Sequence, residues 1–223
     1  MQKTQIHPVI HHLDRATTIG EVGVARECGA DGVFLISHHG DDDALLGLAW
    51  ELQRSNKGFP IGINLLSMRA VAAAPKVLEA GLAMLWADDM GVDSSGLTQE
   101  GRVMADFAQR HPQLSFFASV AFKYQRREEK PVEAAVNALS AGFVPTTSGA
   151  ATGKAPDIEK IKAMGAAVPL AVASGMTPEN VAEFAPHLAH ILVATGVSRS
   201  EHNIDPAKLR LFIQNARRVG VAQ

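Results

Sequence analysis

Short apolar runs alternate with amphipathic stretches along the whole chain at near-even intervals. Strand-type runs begin near His7, Gly32, Pro60, Ala83, Leu114, Phe143, Pro169 and His190, between 21 and 31 residues apart. The segments between them carry helical spacing, as in Leu45, Leu48, Ala49 and Leu52, or Val132, Ala135, Val136 and Leu139. Trp50 falls on what reads as the buried face of the second helix, and Trp86 lies in the fourth strand as a core residue. Gly29, Gly58, Gly81, Gly142 and Gly165 stand where successive helices should stop. Pro75 interrupts an alanine-rich helix, which predicts a kink there or a helix that starts at Pro75.

The strands are continuous apolar runs, such as Val33-Phe34-Leu35-Ile36 and Ile191-Leu192-Val193-Ala194, rather than alternating ones. Strands buried on both faces have this pattern, and helix-covered parallel sheets bury both faces. Repeated strand–helix units of this size predict a (β/α)8 TIM barrel, with residues 1–223 as one domain. A doubly wound open sheet is the alternative. Eight even units and the lack of an early Gly-x-Gly-x-x-Gly turn count against it.

Composition narrows the function. The 223 residues are 47% hydrophobic and 20% charged, with a net charge of −2, so no basic footprint points to nucleic acid. Cys28 is the single cysteine, which excludes an intrachain disulfide and a multi-cysteine zinc site, and it reads as an apolar filler at a helix end. The opening residues lack the regions of a signal peptide, and no apolar run is long enough to span a bilayer. The expectation is a cytoplasmic protein with no membrane partner. Barrels of this size often pair, so a homo-oligomer belongs to the same expectation.

Candidate chemistry concentrates in the last third. Three glycine-bearing turns follow three successive strands: Thr147-Ser148-Gly149 through Thr152-Gly153-Lys154, then Ser174-Gly175-Met176-Thr177, then Thr195-Gly196-Val197-Ser198. Glycines there let backbone N–H groups approach a ligand, and helix starts add unpaired donors. Asp157 and Thr177 read as N-caps. Gly149, Gly153, Ser174, Gly175, Thr195 and Gly196 are therefore candidates for a phosphate cradle.

At the other strand ends stand His11-His12, His38-His39, Asn64, Asp88-Asp89 and Lys123. Strand alternation allows one member of each doublet to face the barrel. Asn64 is an amide inside an apolar strand and needs a partner or a ligand. Lys123 could bind an anion, transfer protons or form a Schiff base. The expected acid–base groups are Lys123, Asp88, His12 and His38, with Asn64 beside them. No cofactor or metal is predicted. A divalent metal held by His12, His38 and Asp88 is the rival reading. The polar run Gln125–Lys130 reads as a solvated loop or as a lid over the site.

The three turns, with Gly62-Ile63-Asn64-Leu65-Leu66 upstream, resemble the BtpA family, named for a photosystem I biogenesis protein and including bacterial sugar-operon relatives. The resemblance implies a phosphate-binding barrel, with members described as nucleosidase or phosphoribosyl-type enzymes. The turns are also similar to those of the tryptophan synthase α-subunit. This chain departs from the family at Ser37-His38-His39 and at Met84-Leu85-Trp86-Ala87-Asp88-Asp89, the positions expected to touch the reacting end of a ligand. The leading expectation is an enzyme acting on a small phosphorylated compound, a phosphosugar or a phosphoribosyl or nucleotide-type compound. Its rivals are a non-catalytic assembly factor and a metal-dependent hydrolase or epimerase.

Overall fold

The computed structural model of the chain describes residues 3–218. Eight parallel strands form a closed ring: β1 (Gln5–His11), β2 (Val33–Ile36), β3 (Ile61–Asn64), β4 (Met84–Ala87), β5 (Ser115–Ser119), β6 (Val144–Thr147), β7 (Ala171–Ala173) and β8 (His190–Val193). The ring shuts where Ile6 of β1 stands opposite Ile191 of β8. Around it lie α1 (Arg15–Glu27), α2 (Asp42–Ser55), α3 (Ala70–Glu79), α4 (Gln99–Arg110), α5 (Pro131–Ser140), α6 (Ile158–Ala167), α7 (Val181–Phe184) and α8 (Pro206–Arg218). This is the expected (β/α)8 barrel. No helix among the described residues is long and apolar enough to cross a membrane.

Strand alternation divides the core in two. Val33, Leu35, Ile61 and Ile63 point outward and pack with helix residues such as Leu45, Leu48 and Val77. Phe34, Met84, Trp86, Phe117 and Leu192 point inward and fill the lumen. Phe34 and Phe117 meet edge to face at 5.0 Å. Gly62 leaves room for this plug: a Cβ there would lie 2.6 Å from the Phe34 ring. Trp86 is buried as expected, and its indole N–H donates to Ser119 Oγ at 3.0 Å. Cys28 is buried at the C-cap of α1.

Four local expectations are corrected. Trp50 is 43% exposed, with the Arg54 guanidinium over its ring at 4.8 Å, because the buried face of α2 is Leu45, Leu48, Ala49 and Leu52. Pro75 does not start a helix: it sits inside α3, which begins at Ala70. Gly165 does not stop a helix. It lies within α6, where a Cβ would overlap the His187 carbonyl. Thr177 does not cap α7 either. Its N–H donates to Asn180 Oδ1 at 2.8 Å in a turn ahead of the helix. Asp157 does cap α6, accepting from the N–H groups of Glu159 and Lys160. Gly29, Gly58, Gly81 and Gly142 take positive φ, as helix-ending glycines do.

In the lumen, His7 of β1 stacks on His190 of β8, with Nε2 and Nδ1 3.1 Å apart. His7 Nδ1 is buried without a partner. Burial, then the neighbouring imidazole, pushes His7 down to about 3, and burial pushes His190 down to about 4. Both are therefore neutral in the fold and titrate near 6.5 once unfolded. Below that value the unfolded chain binds more protons, so stability is lost as pH falls from 6.5 towards 4. The double substitution His7→Leu/His190→Leu should flatten the decline of melting temperature over that window. A decline parallel to the parent's would contradict the assignment.

Candidate active site

The three turns after β6, β7 and β8 are stacked backbone against backbone. A Cβ on Gly149 or Gly175 would overlap the main chain of Lys154 and Ala155, and one on Gly196 would overlap the Met176 carbonyl. Gly175 also takes φ +68. Gly175 and Gly196 are thus required first by the approach of one turn to the next, and Gly149 by the return of its own turn across it. Side chains stitch the same stack: Ser174 Oγ donates to Ala151 O at 3.1 Å, and Asn180 Nδ2 donates to Gly175 O at 2.9 Å.

These links use side-chain donors and leave main-chain donors over. Among the described residues, the N–H groups of Ser174, Gly175, Met176 and Ala194 have no hydrogen-bond partner. Thr195 and Gly196 open a single 3-10 turn, Thr195–Val197, whose leading N–H groups have no carbonyl within the turn. All six residues line a cavity of about 720 Å3 in the barrel mouth.

Gly153, Asn64, Asp88, His38 and Lys123 line the same cavity, so the structure brings most of the expected site together. Asn64, 2% exposed, donates from Nδ2 to Asp88 Oδ1 at 3.3 Å, which gives the amide the partner it required. Two expected residues lie elsewhere. Gly149 is buried beneath the Lys154–Ala155 segment and does not line the cavity. His12 is outside the lining too: its Nδ1 lies 2.7 Å from Thr18 Oγ1 and its Nε2 lies 3.8 Å from Asp41. Its neighbour His11 faces the cavity instead, with its ring 5.2 Å from that of His38.

His11 is the clearest acid–base group that residue spacing missed. Its Nδ1 has no partner. Burial, reinforced by His38 and opposed by Glu201, holds its pKa below the ordinary histidine value, so it is a neutral imidazole at neutral pH. Glu201 reaches the mouth on a short hairpin, Ser198–Ser200 with Asn203–Ile204, which Glu21 ties to α1 by accepting from Ile204 N at 2.7 Å. Nothing in the hydrophobic pattern marks that hairpin.

Lys123 is held by strained backbone on both sides. Ala121 has φ 47 and Tyr124 has φ 66, both costly for residues bearing a Cβ. Thr147 Oγ1 and Lys160 Nζ both donate to Ala121 O, at 3.1 and 2.8 Å, and Lys123 N donates to Ser148 Oγ at 2.7 Å. Lys123 Nζ then reaches Thr152 Oγ1 at 3.3 Å, as does Tyr124 Oη. Burial lowers the Lys123 pKa, opposed by Tyr124 and Asp88. The polar loop after β5 is anchored by Gln125, whose Nε2 donates to Asp88 O at 2.6 Å and to Ser119 O at 3.1 Å. Among the described residues, no three His, Cys, Asp or Glu side chains are grouped to hold a metal ion.

No family profile matches the chain, and no curated protein does. Solved structures do match over nearly its whole length. One described as native KDPGal is 14% identical with a TM-score of 0.71, covering 99% of this chain and 100% of that one. A tryptophan synthase alpha chain from Legionella pneumophila is 16% identical with a TM-score of 0.68, covering 98% and 93%. A phosphoribosyl anthranilate isomerase from Thermus thermophilus is 13% identical with a TM-score of 0.67, covering 95% and 98%. The chain shares their barrel.

Two glycine substitutions separate turn packing from open space. Gly196→Ala forces an overlap with Met176 and should cost more than about 2 kcal/mol in urea unfolding. Gly153→Ala meets nothing within 4 Å and carries only the left-handed penalty of about 1–2 kcal/mol. A Gly196→Ala protein as stable as the parent would refute the stacked arrangement.

Proposed function

We propose that this protein is an enzyme acting on a small phosphorylated metabolite, a phosphosugar or phosphoribosyl-type compound, within the barrel mouth. The observation that carries the reading is one cavity holding both unpartnered main-chain N–H groups and convergent titratable side chains. N–H groups from adjoining turns make a concave donor surface suited to a dianion, which presents oxygens in several directions. Lys123 adds a positive charge on the same side of the mouth, through its contact with the β6 turn.

The reacting end of the ligand then meets Asn64, Asp88, His11 and His38. His11, a neutral imidazole lining the cavity, is the proton acceptor of this reading, and His38, 5.2 Å away ring to ring, is placed to relay or return one. Asn64 and Asp88 orient a hydroxyl or carbonyl of the ligand. Proton transfer of this kind serves isomerisation, carbon–carbon lysis and glycosidic cleavage alike. One structure sharing this barrel, the phosphoribosyl anthranilate isomerase, is named for a phosphorylated compound and supports the same class.

The resemblance to the BtpA family enters this proposal through the three turn motifs, which supply most of the cavity rim. An assembly factor needs no cluster of acid–base groups in the mouth, so the cluster favours an enzyme. The proposal places it in the cytoplasm.

Titration calorimetry with inorganic phosphate tests the cradle. Thr195→Asp sets a carboxylate among the proposed donors and should weaken phosphate binding at least tenfold while leaving the melting temperature within a few degrees. Unchanged affinity would overturn the cradle. Once a turnover assay is in hand, His11→Gln should reduce kcat by two orders of magnitude or more, and His12→Gln by less than fivefold. The acidic limb of the kcat/KM profile should fall below pH 6.5, because His11 titrates below its ordinary value in the fold.

A further inference from the structure

The geometry points to a second subsite in the same cavity: an apolar floor that takes a flat, uncharged ring joined to the phosphate. The inference rests on the phosphate reading above and narrows it from phosphorylated metabolites in general to those carrying an aromatic group.

Below the polar rim, the cavity is walled by Val9 of β1, Ile36 of β2, Trp86 of β4, Phe122, Ala173 of β7 and Leu192 of β8. Trp86 and Phe122 meet edge to face at 6.0 Å, so together they present an aromatic wall at a fixed angle. Ala173 contributes only a methyl group and so leaves room in the floor.

The polar atoms near this floor are already used. Trp86 Nε1 donates to Ser119 Oγ at 3.0 Å, and Thr146 Oγ1 to Val144 O at 3.1 Å. A polyhydroxylated chain laid on the floor would lose its hydrogen bonds to water and find no replacement, which is costly. A ring loses nothing polar there and buries apolar area. Hydroxyls of the same ligand are served higher up, by Asn64, Asp88 and the two imidazoles. The order from turns to floor is therefore phosphate, polar linker, ring.

The test compares three probes by calorimetry on the intact protein: inorganic phosphate, ribose 5-phosphate and 1-naphthyl phosphate. Naphthyl phosphate should bind at least tenfold more tightly than ribose 5-phosphate, and Ala173→Leu, which fills the floor, should remove that advantage while leaving phosphate binding intact. In a Trp50→Phe protein labelled with 5-fluorotryptophan, Trp86 gives the single fluorine resonance. It should move with naphthyl phosphate and stay still with ribose 5-phosphate. Because both comparisons also run on protein with its floor unaltered, a misfolded Ala173→Leu variant does not spoil the test. Phosphate binding with no gain from the ring, or a Trp86 resonance that ignores it, overturns the floor and leaves the cradle standing. Failure of all three probes to bind overturns both.

Discussion

The close approach of three consecutive strand-to-helix turns organises this molecule. Gly175 and Gly196 let each turn rest its main chain on the one before, and Gly149 lets the turn after β6 fold back across itself, where any Cβ would collide with backbone. Because Ser174 and Asn180 fasten the stack with side-chain donors to its carbonyls, the main-chain N–H groups at its edge stay unspent. A packing requirement thus generates a donor surface at the barrel rim. Gly175 and Gly196, which this packing requires, are also the glycines proposed to meet the ligand, and the first role does not exclude the second.

The rest of the site depends on how the lumen is divided. Phe34, Met84, Phe117 and the neutral His7–His190 pair plug the barrel interior, and the cavity opens beyond Trp86 and Leu192. Lys123 reaches that cavity from a loop whose left-handed Ala121 is fixed by Thr147 and Lys160. The cost of two strained residues around one half-buried lysine is met by hydrogen bonds from neighbouring elements, so the amine occupies a defined place in the mouth.

Strand positions were legible because apolar runs at regular spacing leave little freedom once both faces of a sheet are covered. The turn glycines were legible as a group, yet their packing role was not, since contacts between turns depend on a curvature no local pattern encodes. Spacing also showed that one histidine of His11-His12 must face the lumen, without showing which. That parity follows from the register of β1 against β2, where His11 pairs with Ile36. Glu201 escaped notice because its hairpin is pinned by a distant partner, Glu21, and Gln125 was legible only as part of a polar loop, because what anchors it to Asp88 and Ser119 is distant in sequence. Trp50 misled for a simpler reason: a large apolar residue beside a buried stripe resembles part of it, and Arg54 covers its exposed ring.

The central claim is that main-chain donors of the β7 and β8 turns hold an anion at the rim. Diffraction from crystals soaked in phosphate or sulfate addresses it directly. The account predicts an anion within hydrogen-bonding distance of the Gly175 and Gly196 nitrogens, with Lys123 close by. An anion that occupies other surfaces while those nitrogens contact only water or carbonyl oxygens would contradict it.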